Sequence, residues 1–144
     1  MRAIIPAMTG SAWFALDALS VQEVIGERPW VLVPFAAHRT PGVLSWRGRA
    51  VAVLDVSELL EGGEPLRAGS TRARTLVVLA ATCTLAIPVD LVREVHEVSP
   101  NQVRPAGEGA RHCAEEVSLL EGVMPVLDLA AIVESVLREE AVAS

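Results

Sequence analysis

Tyrosine and lysine are absent from this 144-residue chain, and aromatic residues make up only 3% of it. Surfaces that stack nucleobases need several exposed rings, and here Trp13, Trp30, Trp46, Phe14 and Phe35 are the whole supply. The basic residues are all Arg, no two adjacent, and the net charge is −6. Phosphate binding gains from counterions released by clustered cations. Nucleic acid and anionic membrane surfaces are therefore not expected partners. The longest unbroken apolar run, residues 76–81, is far short of the ~18 residues a spanning helix needs, so no membrane insertion is expected. Cysteine is limited to Cys83 and Cys113, too few for a disulfide framework and in keeping with a reducing compartment. Pro6 and Gly10 interrupt the apolar N-terminal stretch. A cytoplasmic setting without a cleaved signal peptide is the expectation.

What is present is apolar: 51% of residues, against 21% charged. Such a chain can offset its ordering entropy and fold, with a core of Val, Leu, Ile and Ala. It also repeats itself. A shift of 71 positions lays residues 14–24 over 85–95, matching Ala15 with Ala86, Val21 with Val92, Glu23 with Glu94 and Val24 with Val95. Pro34 falls on Pro105 at the same shift, and a shift of 73 lays Val53-Leu54-Asp55 on Val126-Leu127-Asp128 and Glu61 on Glu134. An ordered series of matches predicts duplicated lobes within one domain. They are expected over 1–66 and 72–144, joined by a Gly-, Pro- and Ser-rich turn at 62–71.

Each lobe reads mainly as strands. Residues 76–81 and 85–89 flank a tight turn at Ala81-Thr82-Cys83-Thr84, which predicts a hairpin. Residues 49–54 and 123–127 are short and Val-rich, as buried strands are. Asp55-Val-Ser-Glu58 has the form of a capping box and predicts a short mid-chain helix stopped by Gly62. Asp128 predicts the start of a C-terminal helix. There Leu129, Ile132, Val133, Val136 and Leu137 form the i, i+3, i+4, i+7, i+8 stripe, and residues 139–144 are expected to fray. Many short strands with few helices predict paired small β-barrels.

The sequence offers little for catalysis. His38, His96 and His112 show no spacing to a nucleophile or metal set, and His112 and Cys113 are adjacent, closer than zinc ligands usually stand. His38 and Cys83 could meet in space, but the sequence does not say so. The recurring Asp55 and Asp128 are better read as N-caps than as an acid–base pair. No Gly-rich phosphate loop is present. No catalytic residue, cofactor or metal is therefore expected.

The repeat is broken at one place. The first lobe carries Gly42-Val-Leu-Ser-Trp46-Arg47-Gly48-Arg49 where the second carries residues 115–122. Scaffold residues should recur in both lobes, whereas binding residues need not. A turn-borne Arg beside a large aromatic is a common binding anchor. The plainer alternative is a hairpin tip with solvated arginines and a core-facing Trp46.

Val21-Gln22-Glu23-Val24, then Val33-Pro34, then residues 42–55, Val89-Asp90-Leu91-Val92 and Val126-Leu127-Asp128-Leu129 together resemble the CheW-like family of chemotaxis coupling adaptors. The resemblance spans residues 10–137. It implies two five-stranded β-barrel subdomains around a shared core and no enzyme activity. It also implies that the chain joins the cytoplasmic tip of chemoreceptors to the regulatory domain of a histidine autokinase, at membrane-associated arrays. The positions matching the family's kinase contact are Gly42 and Arg47, with Trp46, Gly48 and Arg49 beside them. The positions matching its receptor groove are Val21, Glu23 and Val92. Ser45-Trp46 replaces the family's Asn-Leu, the second lobe is shortened at 115–122, and the first-strand aromatic is missing from residues 3–8. An adaptor of a non-chemotaxis kinase pathway, and a small-molecule-binding or catalytic β-barrel using the histidines, are the other readings.

Overall fold

The computed structural model describes residues 2–107 and 112–143. Four antiparallel hairpins hold most of its strand residues. They pair β1 (Arg2–Thr9) with β2 (Ala12–Asp17), β5 (Gly42–Trp46) with β6 (Arg49–Val53), β7 (Arg74–Ala80) with β8 (Cys83–Val89), and β12 (Glu115–Leu119) with β13 (Gly122–Val126). Each closes through two residues, as the pairs Thr9↔Ala12, Trp46↔Arg49, Ala80↔Cys83 and Leu119↔Gly122 require. The expected turn after residue 80 is therefore present, with Ala81 in the left-handed region at φ 53°. At the β5–β6 tip both Arg47 (φ 49°) and Gly48 (φ 74°) are left-handed. That is the type I′ pattern, whose twist matches that of the flanking strands.

The remaining strands are β3 (Val21–Ile25), β4 (Val31–Leu32), β9 (Leu91–Val92), β10 (His96–Val98) and β11 (Val103–Pro105). Among the described residues the strands form two sheets. Sheet I runs β10-β1-β2-β13-β12-β11, with β9 also on β1, and sheet II runs β3-β7-β8-β6-β5-β4. The strand after each central hairpin leaves its own sheet. After β2, β3 pairs with β7 (Val21↔Val78), and after β8, β9 pairs with β1 (Ala7↔Val92). The sheets consequently do not divide at 62–71, which links β6 to β7 inside sheet II. Sheet II spans residues 21–89, and sheet I takes both flanks of the chain.

The duplication is visible in the hydrogen bonds. Leu54 N–H donates to Ala86 O at 2.8 Å and Leu127 N–H to Ala15 O at 3.0 Å. Asp55 N–H donates to Arg39 O at 2.8 Å and Asp128 N–H to His112 O at 2.6 Å. The parallel pairs Val53↔Ala86 and Val126↔Ala15 are equivalent in the same way. Asp128 caps as expected, whereas Asp55 stands one residue before Val56, the N-cap of its turn. Asp55 accepts from Ser57 N–H at 2.9 Å, and Asp128 from Ala131 N–H at 3.0 Å. After Asp55 only a 3-10 turn forms, at Ser57–Leu59, because Gly62 and Gly63 follow closely. Its Glu58 turns to His38 instead of completing a capping box. A capping box does form at Ser99 and Gln102, which the sequence reading had not singled out. The cap at Asp128 begins α1 (Leu129–Ala143). Its residues Leu129, Ile132, Val133 and Val136 are buried, while Leu137, the end of the stripe, is exposed. The backbone stays helical through the stretch expected to fray, apart from Ser144, which lies outside the described residues.

The core is shared. Phe14 and Leu16 from sheet I, Leu76, Val78, Leu85 and Ile87 from sheet II, and Ile132 from α1 form one cluster. Alternation sends the intervening residues to the opposite faces. There Ile4, Ala15, Val117 and Met124 form a cluster belonging to sheet I, and Trp30, Trp46, Val53, Val77 and Ala86 one belonging to sheet II. The central strands are buried on both faces, which is why they read as continuous apolar runs. The expected five-stranded closed barrels are not formed. The two sheets hold seven and six strands and stay open, because β3 and β9 have crossed over.

Candidate functional site

Sheet II curls, and side chains bridge the gap its backbone leaves. β3 and β5 are separated by β7, β8 and β6 in the strand order. Even so, Trp46 Nε1–H donates to Glu23 Oε2 at 2.9 Å. Arg47 Nη2 lies 3.2 Å from the same oxygen, and Arg28 Nη1–H donates to Ser45 O at 2.8 Å. A register shift in β3 between Val21 and Glu23 divides these two residues. Val21 packs on the shared core, and Glu23 meets the β5–β6 tip.

Trp46 is only 5% exposed and belongs to the sheet II cluster, so it faces inward. Its remaining edge is roofed by two cations. The Arg47 guanidinium carbon lies 4.8 Å from the ring centroid and that of Arg49 5.6 Å. The left-handed turn holds Arg47 in this position while leaving its side chain 68% exposed. Gly48 has open space around its Cα, so its glycine answers to its backbone angle alone. Gly42 is different. It is buried, and a Cβ there would lie 2.2 Å from Val31 O and 2.6 Å from Trp30 Cε3. The close approach of β4 and Trp30 to β5 requires glycine.

Of the residues expected to form a receptor groove, Val21 and Val92 are the equivalent first and last residues of the two exchanged strands. Both are half-buried and pack on the shared core. Glu23 does not join them; it belongs with Trp46 and Arg47. Asp90, between the motif residues Val89 and Leu91, accepts from Gly10 N–H at 2.7 Å and Arg72 Nη1 at 2.8 Å. The sequence reading missed an apolar strip at the end of β5 remote from the tip. Val31 and Leu32 on the edge strand β4 are exposed, and Phe35, left-handed at φ 61°, is fully so. Its signal was an apolar run around Pro34, which removes a backbone donor and marks an edge.

The histidines have separate environments. His38 meets Glu58, His96 lies on β10 opposite Ile4, and His112 Nε2 lies 3.1 Å from Arg39 Nη1. Among the described residues no three His, Cys, Asp or Glu side chains are grouped to hold a metal. Cys113 is buried, and its thiol pKa is pushed up by that burial and then by the Asp128 charge. Among the described residues no helix is long and apolar enough to cross a membrane.

Known proteins match this arrangement over nearly the full length. Chemotaxis protein CheW of Rhizobium meliloti (strain 1021) is 26% identical over 147 aligned positions, covering 97% of this chain and 92% of that protein. The crystal structure of the scaffolding protein TtCheW from Thermoanaerobacter tengcongensis superposes with a TM-score of 0.74 at 18% identity, covering 88% of each chain. The CheW-like domain family matches residues 5–137, so the chain belongs to that family.

Proposed function

We propose that this chain docks the cytoplasmic tip of a chemoreceptor on one face and the regulatory domain of a histidine autokinase on another, in the cytoplasm at receptor arrays. Members of the family are scaffold adaptors, not enzymes. The observation that carries the kinase face is an asymmetry between equivalent hairpin tips. Arg47 stands on the β5–β6 tip over Trp46, and its counterpart on the β12–β13 tip is the exposed Leu120. A fold built twice needs its strands twice, but not a stacked guanidinium. Arg47 and Arg49 offer donors to a carboxylate or carbonyl, where a planar fork adds orientation. Gly48 lets the turn present them. Trp46 acts from beneath, as the ring on which the arginines rest, and Gly42 acts by keeping β4 in place.

The receptor face is the seam where the strands are exchanged. Val21 and Val92 flank it, and a receptor helix would bury apolar side chains against them. The adaptor alters kinase activity to the extent that its bound geometry favours one kinase state. Arg47→Glu reverses the charge at an exposed position. It is expected to abolish capture of the cognate kinase in a pull-down while the circular dichroism spectrum and Tm stay near wild type. Val92→Asp should weaken receptor capture more than kinase capture. Kinase binding retained by Arg47→Glu removes the tip from the site.

A further inference from the structure

We infer that the apolar pocket between α1 and the open end of the β6–β8 pair binds a small monocyclic aromatic molecule carrying one hydrogen-bonding group. β6 and β8 pair only at Ala52↔Leu85 and Val53↔Ala86. Next to this short ladder lies a cavity of about 130 Å³ lined by Thr40, Ala52, Cys83, Leu85, Ile132 and Val136, among others. An enclosed apolar cavity of about that size accepts benzene; this pocket has similar room and mostly apolar walls, with one side open to solvent.

The pseudo-symmetry supplies the shape. The repeat that relates Val53↔Ala86 to Val126↔Ala15 places Leu85 on Phe14, Cys83 on Ala12 and Thr40 on Cys113. In that other half Ala12, Phe14 and Cys113 are all buried in the shared core. A phenyl ring in one half thus corresponds to an isobutyl group in the other, and the pocket lies beside the smaller side chain. The walls supply the rest of the chemistry. Thr40 is 8% exposed and brings a hydroxyl-bearing side chain to the pocket lining. It is a polar group placed to meet the polar end of a ring such as that of benzyl alcohol. This inference is independent of the docking faces.

Cys83 is a built-in reporter, being half-buried at the pocket wall, whereas the buried Cys113 keeps its proton and reacts slowly. The full chain is alkylated with iodoacetamide while benzyl alcohol is titrated in. At ten times the half-saturating concentration, Cys83 labelling should slow about elevenfold by mass action. Leu85→Phe, which supplies the ring from the protein itself, should remove that protection. Thr40→Val tests the hydroxyl without a change of volume. It should weaken protection by benzyl alcohol and leave protection by toluene unchanged. The inference is overturned if wild-type labelling ignores benzyl alcohol, or if a folded Leu85→Phe is protected as well as wild type. It is also overturned if Thr40→Val treats both probes alike, the deciding result should Leu85→Phe not fold. Protection by a bound protein partner but not by benzyl alcohol would assign the pocket to an inserted side chain instead.

Discussion

Gly42→Ala should be among the most damaging single-methyl additions to this protein. The added Cβ would lie 2.2 Å from Val31 O, and 2.6 and 2.8 Å from Cε3 and Cζ3 of Trp30. Comfortable carbon contacts are about 3.5–4.0 Å, so roughly 1 Å of movement is required. Neither neighbour yields easily. Val31 is held in β4 by its pairing with Val43, and Trp30 is 7% exposed in the sheet II cluster. Overpacking alone costs about 1–3 kcal/mol. Displacing the Trp30 ring adds part of the ~3–5 kcal/mol that loss of a buried aromatic costs. The expected destabilisation is about 3–5 kcal/mol, or roughly 6–20 °C in Tm for a domain of this size. Urea unfolding and calorimetry measure it, and a red shift of tryptophan emission reports exposure of Trp30. Gly26→Ala is the control, since nothing lies within 4 Å of its added Cβ. It should be neutral or stabilise by up to ~1 kcal/mol through the unfolded chain. A Gly42→Ala protein that melts like wild type refutes the steric account.

Other outcomes follow from the same geometry. Glu23→Ala leaves the buried Trp46 Nε1–H without its acceptor and should cost about 1–3 kcal/mol. Glu23→Gln keeps an acceptor and loses only the largely exposed pairing with Arg47, so urea melts should place it within about 1 kcal/mol of wild type. Asp90→Ala frees Gly10 N–H and the mostly buried Arg72 together, and should cost about 2–4 kcal/mol in chemical denaturation. Cys113 contributes to alkaline sensitivity. Its thiol keeps its proton more tightly folded than unfolded, so above its ordinary value of 9.0 the unfolded chain releases that proton first and stability falls as pH rises. Cys113→Ala should flatten that decline in a series of melts above pH 9, whatever its cost at neutral pH.

The sequence by itself determined the local pieces. Residues 74–89 had to form a hairpin, because apolar runs flank a two-residue turn. Asp128 had to cap, because it precedes unpaired backbone donors, and Asp55 accepts from Ser57 N–H just before a shorter turn. Leu129, Ile132, Val133 and Val136 had to share a buried helical face, and the duplication itself was legible in residue identities at a fixed offset. All of these depend on neighbours a few positions apart, or on comparing the chain with itself. Only the tertiary structure decided which strand pairs with which. The exchange of β3 and β9 between sheets places residues 21–89 in one sheet and both flanks of the chain in the other. It also leaves the sheets open where barrels were expected. Only the curl of sheet II brings Glu23 to Trp46 across three strands, turns that Trp inward and sets Trp30 against Gly42. Alternation tells a strand which face is apolar, but it carries no address for the strand that will cover that face. Strand partnership is settled by burial of the whole set at once, and with it the surroundings of Glu23, Trp46 and Gly42.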